Sequence, residues 1–235
     1  MELLPNGFTL NLTGGFPLST DSMVLSRFVR LPKNAQVLDL GSGCGTLGLL
    51  LCAADESCRV TGVELSEQAH MTALDNIRRN ELDARMESIC ADLRQLPDCV
   101  PAGGFDVCVS NPPYFSGGPA SRISPMARRE DTCSLGELFK AAARGLRYGG
   151  DFFLVHRPER LAELIARGAE ERLEAKRLCL VRHRESAPVN LILLQFRKGA
   201  KPGLIWEEHA LYNAQGAPTP YYHSVYHIPI SRQEA

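Results

Sequence analysis

Several features that would set this chain's class are missing. No stretch of apolar residues approaches the roughly 20 needed to span a bilayer, so no membrane helix is expected. The amino terminus, Met1-Glu2-Leu3-Leu4-Pro5-Asn6-Gly7, lacks the basic segment and apolar run of a secretory signal, so a soluble, cytoplasmic protein is expected. The eight cysteines include no Cys-x-x-Cys pair, and several sit inside apolar runs such as Val107-Cys108-Val109. That spacing speaks for small buried hydrophobes in a reducing compartment and against a zinc ribbon or a dithiol redox motif. His223 and His227 are four apart, but no acidic or third ligand stands at a recognisable spacing, so no metal site is expected. Internal repeats and low-complexity tracts are also missing, which excludes a solenoid.

Net charge is nearly absent too, at −1, but its distribution is uneven. Residues 1–119 hold 8 Lys/Arg against 14 Asp/Glu, and residues 120–235 hold 18 against 13. The basic half is the place to look for an anionic partner.

What is present is a chain of 235 residues in which short β-branched runs alternate with amphipathic segments from about residue 35. This is the pattern of βαβ units around a parallel sheet. The predicted strands are 35–40, 59–65, 86–91, 105–110, 152–156, 175–181 and 189–196. The last two, joined by a short link at Ala187-Pro188, read as an antiparallel pair at the sheet edge. Helices are predicted after Gly45, from Ser66 to Asn80, over 134–146 and over 159–166. Residues 1–34 read as an amino-terminal extension packing near the site and 201–235 as a carboxy-terminal segment appended to the domain. Residues 116–133 have the length of a functional loop.

The first strand runs into Asp39-Leu40-Gly41-Ser42-Gly43-Cys44-Gly45, with glycine at every second position. Such a turn lets the backbone approach a ligand closely, and its Gly-x-Gly-x-Gly spacing differs from the Gly-x-Gly-x-x-Gly of dinucleotide sites. Three carboxylates stand where the strands end. Glu64 closes the second strand and can accept the ribose hydroxyls of a nucleoside; Asp92 follows the third and can accept from an adenine amino group. Asp39, just before the glycines, can hold a ligand ammonium.

The fourth strand ends in Asn111-Pro112-Pro113-Tyr114. Two prolines forbid continuation as strand or helix, so the chain must turn there. An amine conjugated to a base or carbonyl is a poor nucleophile because its lone pair is delocalised. The Asn111 side-chain oxygen and the Pro112 carbonyl can accept its two N–H bonds and favour a pyramidal nitrogen, while Tyr114 offers a face for a planar group. No general base is needed before attack.

Asp39 to Gly45, Glu64, Asp92 and Phe105 to Tyr114 together resemble the amino-methylating branch of the class I, Rossmann-like methyltransferases. Further stretches resemble one subgroup, the bacterial tRNA adenine-N6 methyltransferases that act on the adenosine following the anticodon of a valine tRNA. These stretches are Asp21-Ser22 with Val24-Leu25, Ala127-Arg128-Arg129-Glu130, Val155-His156-Arg157-Pro158-Glu159-Arg160-Leu161, and Lys198-Gly199. The subgroup tends to have Arg-His-Glu at the second stretch. The resemblance implies a seven-stranded, mostly parallel sheet with helices on both faces over residues 35–200, S-adenosylmethionine as cofactor and tRNA as substrate. Arg122, Arg128 and Arg129 would then meet RNA, and Arg157, Arg160, Lys176, Arg177, Arg182, His183 and Arg184 would add phosphate contacts. Alternatively, Arg172, Lys176 and Arg177 pair with Glu171 and Glu174 on one helix. Release-factor glutamine-N5 methyltransferases share the Asn-Pro-Pro-Tyr loop for the same electronic reason, but carry an amino-terminal helical domain for which the 35 residues here are too few. A non-catalytic S-adenosylmethionine-binding protein would have no use for the two acceptors.

Overall fold

The computed structural model describes residues 2–4, 7–13, 18–96, 100–112 and 133–226. Pro113, Tyr114, Arg122, Arg128, Arg129 and His227 therefore lie outside the described residues, as does nearly all of the expected 116–133 loop. Two short strands, β1 (Glu2–Leu3) and β2 (Thr9–Leu10), pair antiparallel and lead into helix α1 (Thr20–Phe28). The remaining elements are β3 (Gln36–Leu40), α2 (Thr46–Ala54), β4 (Arg59–Glu64), α3 (Glu67–Arg79), β5 (Met86–Cys90), β6 (Phe105–Ser110), α4 (Leu135–Gly145), β7 (Leu146–His156), α5 (Leu161–Glu170), β8 (Leu173–Arg184), β9 (Val189–Lys198), β10 (Ile205–Tyr212) and α6 (Pro220–Val225).

The main sheet has the order β10-β8-β9-β7-β6-β3-β4-β5. Strands β5, β4, β3, β6 and β7 run parallel, whereas β9 is antiparallel to both β7 and β8. The seven expected strands are all present, and β8 and β9 form the expected antiparallel pair, one strand in from the edge rather than at it. An eighth, β10, continues the sheet parallel to β8 where the sequence suggested only an appended segment. Its Ile205-Trp206-Glu207-Glu208-His209-Ala210-Leu211-Tyr212 has neither clean alternation nor a β-branched run, because an edge strand leaves residues such as Ile205 and Trp206 in solvent, 71% and 67% exposed. Residues 173–184 form one strand, so Arg177 and Lys176 do not share a helix with Glu171 and Glu174; Arg177 pairs with Glu207 and Lys176 donates to the Lys201 carbonyl.

Alternation along the strands builds two cores. Phe152 and Phe153, adjacent in β7, point to opposite faces. Phe152 packs with Phe139 of α4 and Phe196 of β9, while Phe153 meets Phe28 of α1 edge-on at 5.9 Å. Helix α4 begins with a full capping box, Ser134 with Glu137, and α1 with Ser19 accepting from the Ser22 N–H. Five of the seven described cysteines are buried, as their apolar neighbours suggested; Cys90 is exposed and Cys133 partly so.

The amino-terminal segment is laced to α3 by two asparagines that imitate backbone. Asn80 exchanges two 2.8 Å hydrogen bonds with Thr9, and Asn76 accepts from the Asn11 N–H at 2.7 Å. The Asn76 amide donates to the carbonyls of Asn11 and Cys44 at 2.9 and 2.8 Å. One fully buried side chain thus joins the amino-terminal segment, α3 and the glycine turn.

Close packing between α5 and β9 yields a stability test. A methyl group on Gly168 would lie 2.6 Å from Phe196 Cε1 and 2.8 Å from the Leu173 carbonyl oxygen. Alanine in place of glycine ordinarily favours a helix by about 1 kcal/mol, whereas overpacking against fixed backbone costs about 1–3 kcal/mol. Gly168→Ala is therefore expected to destabilise the protein, read as a lower urea midpoint at unchanged slope; a raised midpoint would show that β9 yields freely.

Candidate functional site

The chain visits β3, β4 and β5 on one side of the sheet and then returns to place β6 and β7 on the other. At such a switch point the loops leaving two neighbouring strands diverge and open a crevice outside their carboxyl ends. Both sequence motifs fall there, the glycine turn after β3 and Asn111-Pro112 after β6. Ser110 bridges the two strands, its hydroxyl donating to the Leu40 carbonyl at 2.8 Å.

Gly41, Gly43 and Gly45 all have positive φ, at 72°, 56° and 83°, which side chains with a Cβ rarely adopt. The turn is pinned to β4: the N–H groups of Gly41 and Ser42 donate to the Val63 carbonyl at 2.9 and 3.1 Å. Glu64 then grips it from the side, accepting from the Gly43 N–H at 2.9 Å and the Ser66 N–H at 2.7 Å. Each carboxylate oxygen has a second lone pair, so Glu64 can still accept two hydroxyl donors.

Asp39 is 1% exposed, and its Oδ2 has no hydrogen-bond partner among the described residues; the same holds for Ser42 Oγ. Burial, reinforced by the nearby Glu64 charge, pushes the Asp39 carboxyl up to about 7, against a smaller opposing effect of a hydrogen bond from the Gly48 backbone. A buried carboxylate with an unengaged oxygen is set to meet a cation. The two orphaned atoms fit a ligand whose ammonium group enters beneath the glycine turn.

Asp92 sits just after β5, but it is engaged locally. It caps the short 3-10 turn Leu93–Gln95 and forms an ion pair with Arg94, 2.6 Å at the closest approach, which holds its carboxyl below the usual range. A ligand amino group would share Asp92 with Arg94.

Asn111 is held by a residue from the opposite end of the sequence. Its Nδ2 donates to Ser22 Oγ of α1 at 2.9 Å, which anchors the amide nitrogen; Oδ1 is the acceptor end of the amide. Sequence reasoning noted Ser22 only within a resemblance, since nothing in the spacing links it to Asn111. His156, the last residue of β7, reaches the same end of the sheet. Burial and the Arg160 charge lower it to about 4, so it is neutral at physiological pH, with Nδ1 accepting the Arg157 N–H at 2.8 Å.

The raised pKa of Asp39 has a consequence for stability. Between about pH 4 and 7 the folded protein holds a proton on Asp39 that the unfolded chain has released, so stability falls with rising pH and levels off above about 7. Asp39→Asn is expected to remove this slope and to stabilise the ligand-free protein most at alkaline pH, by roughly 2–4 kcal/mol. Urea denaturation at about pH 5 and pH 8 reads the difference; parallel pH profiles for the two proteins would mean that Asp39 is not protonated in the fold.

A tRNA1(Val) (adenine(37)-N6)-methyltransferase of Photobacterium profundum is 26% identical over 211 residues, covering 86% of this chain and 88% of the relative. A protein of the same name from Bacteroides fragilis is 30% identical over 182 residues, covering 76% of each. A crystal structure described as a predicted O-methyltransferase from Agrobacterium tumefaciens superposes with a TM-score of 0.73 at 22% identity, covering 88% of this chain and 95% of that one, and shares the fold. Residues 19–168, which carry α1, the glycine turn, Glu64 and Asn111, match the methyltransferase small domain family, and the chain belongs to that family.

Proposed function

We propose that this protein transfers a methyl group from S-adenosylmethionine to the exocyclic N6 of an adenine in tRNA, at the adenosine that follows the anticodon of a valine tRNA. The observation that carries the reading is the anchored amide of Asn111 at the crevice between β3 and β6, its Nδ2 donating to Ser22. The names of the Photobacterium and Bacteroides relatives support the substrate.

S-adenosylmethionine supplies an electrophilic methyl on its sulfonium. Around it, Glu64 accepts the ribose hydroxyls, Asp39 holds the ammonium, Asp92 accepts from the adenine amino group, and Gly41, Gly43 and Gly45 let the backbone lie close. Asn111 Oδ1 and the Pro112 carbonyl accept the two N–H bonds of the target amine, so its lone pair leaves conjugation and points toward the methyl. Tyr114 offers a stacking face for the adenine, which has to leave its own stack to enter. As the C–N bond forms, the methyl C–S bond would break and leave a neutral thioether, and the cationic amine would then lose its proton to solvent, so no residue must act as a base beforehand. Arg122, Arg128 and Arg129 follow the loop in sequence and are assigned to the RNA backbone.

The deciding experiment incubates the protein with methyl-labelled S-adenosylmethionine and either unmodified bulk tRNA or a release factor, then digests and identifies the product. Label in N6-methyladenosine supports the RNA reading. Label in methylglutamine would replace it with protein modification, and cofactor binding without transfer to either would leave a binding protein.

Three measurements follow from the assigned roles. Asn111→Ala is expected to lower kcat by a factor on the order of 10² while leaving cofactor affinity nearly unchanged, because its contact forms with the reacting amine. Glu64→Ala should weaken cofactor binding first, and unchanged affinity would remove Glu64 from the site. Because Asp39 must be ionised to meet an ammonium, cofactor affinity should fall as pH drops below about 7, with proton release on binding near that pH; calorimetry in two buffers of different ionisation enthalpy detects the proton.

A further inference from the structure

The edge of the sheet remote from the glycine turn holds a second cluster of ligand-type side chains. In the parallel pairing of β10 with β8, Glu207 stands opposite Cys179, and His209 lies two residues further along β10 on the same face. One donor atom from each, the Cys179 sulfur, a Glu207 oxygen and a His209 ring nitrogen, all lie within 4.8 Å of one another, the one such group among the described residues. We propose that Cys179, Glu207 and His209 form a binding site for a zinc-class divalent cation, which fastens β10 to the rest of the sheet.

The separations suit shared coordination better than direct pairing. His209 Nε2 and Glu207 Oε2 are 3.5 Å apart, long for a hydrogen-bonded ion pair. Two ligands each about 2.0–2.1 Å from one tetrahedral ion stand roughly 3.3 Å apart, so the observed spacing needs little adjustment. The other Glu207 oxygen, Oε1, accepts from Arg177 Nη2 at 2.9 Å, and Arg177 in turn lies over the Phe28 ring at 4.2 Å. This is the supporting contact that orients a ligating carboxylate, and it fixes Glu207 with Oε2 toward His209. The His209 ring is stacked on Tyr221 of α6 at 4.2 Å with only 7° between planes. The imidazole therefore has a defined orientation before any ion arrives.

The chemistry of the set selects the ion. One sulfur, one imidazole and a single carboxylate suit zinc and its borderline-soft neighbours, while magnesium and calcium require more oxygen ligands. On binding, the metal–sulfur bond replaces the S–H bond of Cys179 and the proton passes to the buffer. The residues also line a cleft of about 470 Å³, bordered by Arg27 and Arg30 of the α1 end, so the fourth tetrahedral position has space for water. Thiolate, carboxylate and dication are together neutral; Arg177 is already paired with Glu207, and Arg27 and Arg30 stand at the border of the cleft.

The test uses the full-length, chelator-treated protein, titrated with cobalt(II) under a reductant that does not bind metal. Binding of one equivalent is expected, with a thiolate-to-cobalt charge-transfer band and intense tetrahedral d–d bands. Zinc should abolish both bands at equimolar concentration, while magnesium and calcium in excess should not. His209→Ala and Glu207→Gln, at partly exposed positions, should each weaken binding at least about tenfold. Cys179→Ser should remove the charge-transfer band, whereas Cys133→Ser should keep it. If Cys179→Ser does not fold, as judged by circular dichroism, His209→Ala decides alone. Absence of the bands in the parent protein, or bands unchanged in His209→Ala, would overturn the site.

Discussion

Two carboxylates share the space under one glycine turn, and much of the molecule is arranged around their repulsion. Asp39 is buried at the end of β3 and feels the charge of Glu64 at the end of β4, so it is held near neutrality rather than ionised. Two backbone N–H groups, from Gly43 and Ser66, donate to the Glu64 carboxylate. The Gly43 donor belongs to a turn wound through three positive-φ glycines, and the Ser66 donor to the start of α3. The arrangement is unfavourable without a cation and favourable with one, which is the logic of a site that binds a positively charged cofactor. Stability is given up locally so that affinity is gained on binding.

The scaffold that tolerates this local cost is cross-linked through asparagine. Asn76 is buried with both donor hydrogens and its acceptor engaged, and it ties the amino-terminal segment to the Cys44 carbonyl within the turn. Helix α1 then brings Ser22 to Asn111. The residues before the first parallel strand thus act on both halves of the crevice. On the proposed reading, Ser22 is a positioning residue, since it sets the Asn111 amide and does not itself meet the substrate.

The carboxy-terminal strand extends the sheet in the other direction. Between β10 and β8 lie an arginine–glutamate pair, a stacked histidine and tyrosine, and a buried thiol. A plain edge strand needs none of these; register and backbone hydrogen bonds suffice to hold it. Their convergence on one face is what a metal-fastened edge requires, and it lies apart from the crevice at the glycine turn.

Local order was largely legible in the residues. The short β-branched runs located seven strands, the glycines and prolines marked both turns, and carboxylates stood at the strand ends, because each of these is fixed by backbone sterics or residue type within a few residues. Tertiary structure alone decided the rest. β10 lacks a strand signature since its edge position exposes side chains that a central strand would bury. The Ser22–Asn111 contact and the Cys179–Glu207–His209 cluster join residues far apart in the chain, through helix docking and strand register that no local spacing encodes. The acidity of Asp39 is likewise not a property of Asp-Leu-Gly: it follows from complete burial beside a second carboxylate, and burial of that kind is defined only once the sheet has closed over it.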